Sequence, residues 1–402
     1  MSGQTNTTQG NQIARALAER RLIVVCGSGG VGKTTTSAAL ACAAAQQGRK
    51  VLVLTIDPAR RLASALGLSE LDNEPRKVSS SLFRAQGLVM KGKGELWAMM
   101  LDTKRTFDDV IRRYAPRPEL AEQILGNLIY QQVSDALAGT QEYMAMEQLY
   151  ELTRDDKYDL IVVDTPPTQH ALDFLDAPER MMNVLDSGVV KLVWGGARKV
   201  GKSYLSWLRR STKVVASLFE RITGGELFGD MAEFFQAFDE LYAGIRDRSN
   251  EVKQMLKSDQ TLFFLVTSPA PSSMQESQYF LGKISGYGVT LGGIIVNRVH
   301  RLTDGTVPVE GALPEAKLII DCLVKTQDSM VKDLRLKTLI DELLAAWQSY
   351  AAMASHDQHQ IERLTAGHSA QVMQVPYFDS DIHDLQGLNR LGGYLLTPKS
   401  YG

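Results

Sequence analysis

Residues 22–35 read L-I-V-V-C-G-S-G-G-V-G-K-T-T. The apolar run at 22–26 suits a buried parallel strand. A Gly-rich loop at 27–32 follows it, and Lys33-Thr34 opens an Ala-rich stretch that reads as a helix. Strand, glycine loop and helix in that order make this motif a phosphate-binding loop. The backbone N–H groups of Gly29, Gly30, Val31 and Gly32 can wrap an anion, because three of these residues have no Cβ in the way. The helix start adds partial positive charge. Lys33 is placed to reach the β- and γ-phosphates and the Thr34 hydroxyl to ligate Mg²⁺, with Thr35 beside them in the first turn.

Outward from this motif, the chain reads as alternating strands and helices. Strand-like runs lie at 50–56, 95–101, 160–163, 261–267 and 292–296, with helical stretches between them. This predicts a mostly parallel α/β sheet flanked by crossover helices, the P-loop NTPase class. Two connections, 102–159 and 168–260, exceed a simple crossover. Their Leu, Met, Ala, Glu and Gln at mixed helical spacing predict inserted helices. The expected division is a polar tail and lead-in helix at 1–20, then core at 21–101, a helical insertion at 102–157 and core again at 158–186. A second insertion, basic then acidic, follows at 187–258. Then come core at 259–299, a helical segment at 300–370, and a final strand, loop and short helix at 371–402.

Composition narrows the function classes. A net charge of −2 with 22% charged residues does not point to nucleic acid. Cys26, Cys42 and Cys322 are scattered and form no C-x-x-C, which fits a reducing cytoplasm better than disulfides or structural zinc. The polar residues 1–11 are expected to be a disordered lead-in, not a signal peptide, and no segment has the length of a membrane span. His356, His359 and His368 lie in a polar segment with no clear fourth ligand, so a solvated helix is expected there instead of a metal site.

Two carboxylates end apolar strands. Asp57, in T-I-D-P-A-R-R, stands where a carboxylate could orient or deprotonate a water, or could cap a helix that starts at Pro58. Asp164, after L-I-V-V, has the pattern of a Mg²⁺-binding carboxylate, with a helix cap again as the alternative. Residues 196–203, G-A-R-K-V-G-K-S, also spell the phosphate-loop motif. Arg198 and Lys199 stand where close backbone approach favours small residues, so this second match is read as a decoy.

The segments G-S-G-G-V-G-K-T-T, T-I-D-P-A-R-R and D-T-P-P-T-Q-H-A-L-D-F-L-D-A-P, in this order, resemble the arsenite-pump and tail-anchored-protein-targeting ATPases, a deviant-Walker-A P-loop family. The likeness is greatest to the bacterial single-P-loop members, and it covers about 21–68, 158–186 and 261–299. The resemblance implies an ATPase using ATP and Mg²⁺. Asp57 would be the water-activating residue of switch I, and residues 164–170 would be switch II. Asn297 would recognise adenine, with Pro376 and Tyr377 in an adenine loop. It also implies a dimer and a mobile helical subdomain that binds hydrophobic or membrane-protein clients. Met144, Met146, Met181, Met182 and Met231 would suit such a groove or serve as core filler.

The departures matter as well. Ser28 stands where the family carries a Lys that crosses to the partner's nucleotide. This leaves open a homodimer, or a heterodimer with a Lys-bearing paralogue. Arg60 and Arg61, after Ala59, could supply the missing charge or simply start a solvated helix. The arsenite-binding cysteines have no counterpart. Residues 187–218 lack Asp and Glu and hold seven basic residues beside Trp194, Tyr204 and Trp207. They could lie on an anionic membrane, making the protein peripheral there, or form a solvated face. The expectation is an ATP-hydrolysing switch; the alternative is a nucleotide-dependent scaffold active only with a partner subunit.

Overall fold

The computed structural model describes residues 12–56, 61–127, 130, 141–166, 175–176, 244, 247–301, 334–368 and 370–396. The core is one eight-stranded sheet: β1 Leu22–Gly27, β2 Lys50–Thr55, β3 Arg76–Lys77, β4 Glu95–Met100, β5 Leu160–Asp164, β6 Thr261–Thr267, β7 Leu291–Val299 and β8 Val372–Pro376. The order is β3-β4-β2-β5-β1-β6-β7-β8. Every pairing is parallel except β3 with β4. The parallel strands match the predicted apolar runs, and Val372–Pro376 supplies the final strand expected within 371–402. The two-residue edge strand β3 was not anticipated, because Arg76-Lys77 carries no apolar signal.

β1 is buried along its whole length. Its side chains alternate between two cores. Leu22, Val24 and Cys26 face one and Ile23 and Val25 the other, as the two-residue period of a strand requires. A strand covered on both faces must be apolar throughout, which is why L-I-V-V-C shows no alternation of polarity. One layer contains α1 Gln12–Glu19, α2 Lys33–Gln46, α3 Arg61–Ala65, α4 Ser80–Ala85 and, late in the chain, α10 Leu385–Leu396. The other contains α5 Thr103–Tyr114, α6 Pro118–Gly126, α7 Gln141–Arg154, a helical stretch at 247–257, α8 Pro271–Ile284 and α9 Leu334–Thr365. The small side chains of α2, from Ala38 to Ala45, are all buried. They let that helix sit between sheet and α10, where a Cβ on Gly392 would lie 3.6 Å from both the Ala39 carbonyl oxygen and the Ala43 methyl.

The parallel arrangement gathers strand ends. The carboxyl ends of β1, β2, β5, β7 and β8 lie along one edge, and β1 sits between β5 and β6 there. Ligands of open α/β sheets bind in the crevice at such an edge. Met144 and Met146 are buried in α7 and act as core. Residues 187–218, the decoy at 196–203, Met181, Met182, Met231 and Cys322 lie outside the described residues. Among the described residues no helix is long and apolar enough to cross a membrane, and none of the His, Cys, Asp and Glu side chains group as a metal site.

Candidate functional site

The loop between β1 and α2 has the shape its glycines allow. Gly30 (φ 75°) and Gly32 (φ 96°) take left-handed backbone, where a Cβ would be strained. A Cβ on Gly32 would also lie 2.4 Å from Asn297 Nδ2. α2 starts at Gly32 with no side-chain cap. Its first N–H groups thus have no side-chain acceptor at the cap, and such groups favour an anion. Lys33 is buried, and its Nζ donates to the Ser28 carbonyl at 2.9 Å, arching over the loop. Gly29 and Gly30 are exposed, Val31 is buried, and Thr34 and Thr35 are half-buried at the mouth. Ser28 itself is buried, and its hydroxyl has no hydrogen-bond partner among the described residues.

Asp164 closes β5 and is fully buried. Its Oδ2 accepts from Thr34 Oγ1 at 2.7 Å and from Thr55 Oγ1 at 2.9 Å. The register brings Thr55 there: Asp164 lies beside Val25 on one side and Thr55 on the other. The next residue, Thr165, gives both its N–H and its hydroxyl to the Val25 carbonyl. The Asp164 side chain is thus engaged by the first turn of α2 and by the neighbouring strand β2. The sequence does not single out Thr55 as a site residue. Its signal was a polar residue ending an apolar strand directly before I-D. Cys26, one turn of loop away, is an inert neighbour: burial pushes its thiol up to about 12, against the pull of a Thr165 hydrogen bond and of Lys33.

The exit of β2 is tied to the same place. Ile56 N–H donates to the Asp164 carbonyl at 3.1 Å. The Ile56 carbonyl accepts from Gln141 Nε2, at the start of α7, at 2.7 Å. Asp57 and Arg60, and residues 167–170, lie outside the described residues. Arg61 is exposed at the start of α3.

On the β7–β8 side, Asn297 is half-buried and its Nδ2 donates to the Val31 carbonyl at 2.8 Å. It braces the loop directly. Arg298 follows with φ 60°. Pro376 pairs with Val299, and Tyr377 N–H bonds the Val299 carbonyl at 2.9 Å. Asn297, Pro376 and Tyr377 therefore share the strand ends next to the loop, although they stand far apart in the chain.

A glycine loop at a helix start, with a Lys and a Thr reaching toward a strand-end carboxylate, defines a P-loop nucleoside triphosphatase. The anion-transporting ATPase family model matches residues 20–307, well over half of the chain. The chain belongs to that family and is an ATPase. It is similar to ATPase ASNA1 homolog 2 of Paramecium tetraurelia, 29% identical over 69% of this chain and 75% of that one. It is similar also to ATPase GET3 of Phaeosphaeria nodorum, 27% identical over 69% of this chain and 76% of that one. ATPase ASNA1 homolog of Plasmodium vivax aligns over 94% of this chain and 88% of its own length, at 25% identity.

Proposed function

We propose that the chain is an ATP-driven switch, with ATP lying along the carboxyl edge of the sheet. Its phosphates sit in the loop of Gly29, Gly30, Val31, Gly32, Lys33, Thr34 and Thr35, and its adenine lies toward Asn297, Pro376 and Tyr377. The observation that carries the reading is the meeting of Thr34 and Thr55 hydroxyls on Asp164 Oδ2. It joins loop, β2 and β5 at one buried carboxylate. Thr34 and Asp164 are hard oxygen donors already within hydrogen-bond distance, the donor chemistry that Mg²⁺ takes. They would hold the ion, which when bound would neutralise charge on the phosphate oxygens. Lys33 would exchange the Ser28 carbonyl for phosphate oxygens, and the Ser28 hydroxyl would gain a partner. Asp57 would orient the attacking water.

The coupling follows from the ties at Ile56. Its peptide links the Asp164 backbone to Gln141 of α7. Loss of the γ-phosphate would loosen the segments after Ile56 and Asp164 together and be felt in α7. The helical insertions then move and bind or release a hydrophobic or membrane-protein client. Ser28 supports a dimer, either with a second copy or with a Lys-bearing paralogue, because it brings no charge of its own to the phosphates. The free thiols Cys26 and Cys42 and the basic 187–218 segment support a cytoplasmic protein that meets an anionic membrane surface.

The test is Asp57→Asn. Mg·ATP affinity should stay within about tenfold while turnover falls by about 10²-fold or more, as loss of a water-positioning carboxylate would cause. Equal loss of binding and turnover would make Asp57 a metal ligand or a structural cap and overturn the assignment.

A further inference from the structure

Beside Tyr377 stands a cluster that the reading above does not use. The His300 ring lies under the Tyr377 ring at 5.3 Å between centroids and 11° between planes. Tyr350 of α9 makes a T-shaped contact with the His300 ring, at 5.6 Å between centroids and 82° between planes. Asp357, a turn or two further along α9 and buried, accepts two hydrogen bonds on one oxygen, Oδ2. One comes from the His300 backbone N–H at 2.9 Å and one from its Nδ1 at 2.8 Å. The carboxylate therefore selects the tautomer with hydrogen on Nδ1 and fixes the ring plane. Arg301 then clamps the next strand by donating to the Gln374 carbonyl at 2.6 Å.

The result is a rigid base under one flat ring. Tyr377 is nevertheless 57% exposed, one of few large apolar side chains left open among the described residues. A histidine held at both backbone and ring is more than packing requires for a surface tyrosine. A planar ring pinned from one side and open elsewhere suits an aromatic ligand, since stacking needs a pre-set plane and little ordering on binding. The position fits, because Tyr377 is hydrogen-bonded to Val299, two residues beyond Asn297, which touches the phosphate loop.

We propose that His300 is a positioning residue for the base end of the nucleotide site: it holds the Tyr377 ring as a stacking surface for adenine, and Asp357 of α9 holds His300. This rests on the placement of adenine toward Asn297 and Tyr377. It adds a consequence, that the base end is anchored on α9 and not on the sheet alone.

The experiment is titration calorimetry of the full chain with Mg·ATP and, in parallel, with Mg·tripolyphosphate, which has no base. His300→Ala should weaken ATP by roughly three- to tenfold, the worth of one aromatic pair, and leave tripolyphosphate unchanged. His300→Phe, which keeps a ring under Tyr377, should stay closer to wild type. Asp357→Ala should shift ATP in the same sense and leave tripolyphosphate alone. Should His300→Ala fold poorly, the Phe and Asp357 variants carry the test. If Tyr377→Ala weakens ATP while the His300 and Asp357 variants do not, the positioning role is wrong and the adenine placement stands. If Tyr377→Ala and Asn297→Ala both leave ATP affinity intact, the adenine placement is wrong and this inference falls with it. Equal weakening of ATP and tripolyphosphate would mean a merely structural role.

Discussion

Glu147 and Arg248 form a buried ion pair remote in sequence, and breaking it one side at a time should have unequal consequences. Arg248 Nε donates to Glu147 Oε2 at 2.7 Å, with side chains 5% and 2% exposed. Tyr143 also donates to Glu147, and the Arg248 guanidinium lies 3.7 Å over the Tyr114 ring. Three helical stretches, α5, α7 and 247–257, are thereby joined at one point. Glu147→Gln keeps the shape but strands a cation that water and salt cannot reach. It should cost about 3–5 kcal/mol, the usual cost of an orphaned buried charge. At a urea slope of about 3 kcal/mol/M the midpoint should drop by roughly 1–1.7 M. Arg248→Met strands the carboxylate instead, and gives up the ring contact. Burial already pushes the Glu147 carboxyl up, against the pull of Arg248 and Tyr143. Its folded value thus lies above its unfolded one. Such a group costs stability above its ordinary range, and the cost is relieved as pH falls. The Arg248→Met deficit should therefore shrink as pH falls toward the ordinary carboxylate range, whereas the Glu147→Gln deficit should not, because arginine keeps its proton. Urea unfolding followed by circular dichroism at several pH values measures both. Two deficits below about 1 kcal/mol, or two that respond identically to pH, would refute the view of this pair as an essential, desolvated junction.

Lys33→Ala should abolish ATP binding by removing the point charge at the phosphates, while Lys202→Ala and Ser203→Ala leave it intact; calorimetry giving the reverse would make the second motif the true loop. Ser28→Lys should raise the ATPase rate of the isolated chain if a missing cation limits it, since a trans cation in related switches is worth ~10³–10⁵ in rate. Brisk wild-type activity that survives Arg60→Ala and Arg61→Ala would remove that argument. If residues 187–218 contact an anionic surface, binding to phosphatidylserine vesicles should fall steeply from low to physiological salt, because each contact is worth only ~1 kcal/mol and is screened. Salt-independent binding, or none, would return the segment to a solvated face.

The local parts of this protein were determined by its sequence. G-S-G-G-V-G-K-T-T takes its turn from its own glycines and the helix it opens, so the conformation of residues 27–35 was legible without any neighbour. The apolar strands were legible too, because a strand buried on both faces must be apolar at every position. The meaning of Asp164 was only half legible. A strand-end carboxylate can cap a helix or serve a site, and its sequence does not say what surrounds it; pairing of β5 with β1 and β2 sets Asp164 between Val25 and Thr55, where two hydroxyls reach it. The same holds for Asn297, which reads as an ordinary turn residue until β7 brings its amide to the Val31 carbonyl. Gln141 on Ile56, Arg248 on Glu147 and Asp357 on His300 had no sequence signal at all. Each is a contact between side chains whose separation in the chain is set by insertions and crossovers, and no period or motif encodes it. Only the packing of helices on both faces of a parallel sheet determines which side chains meet.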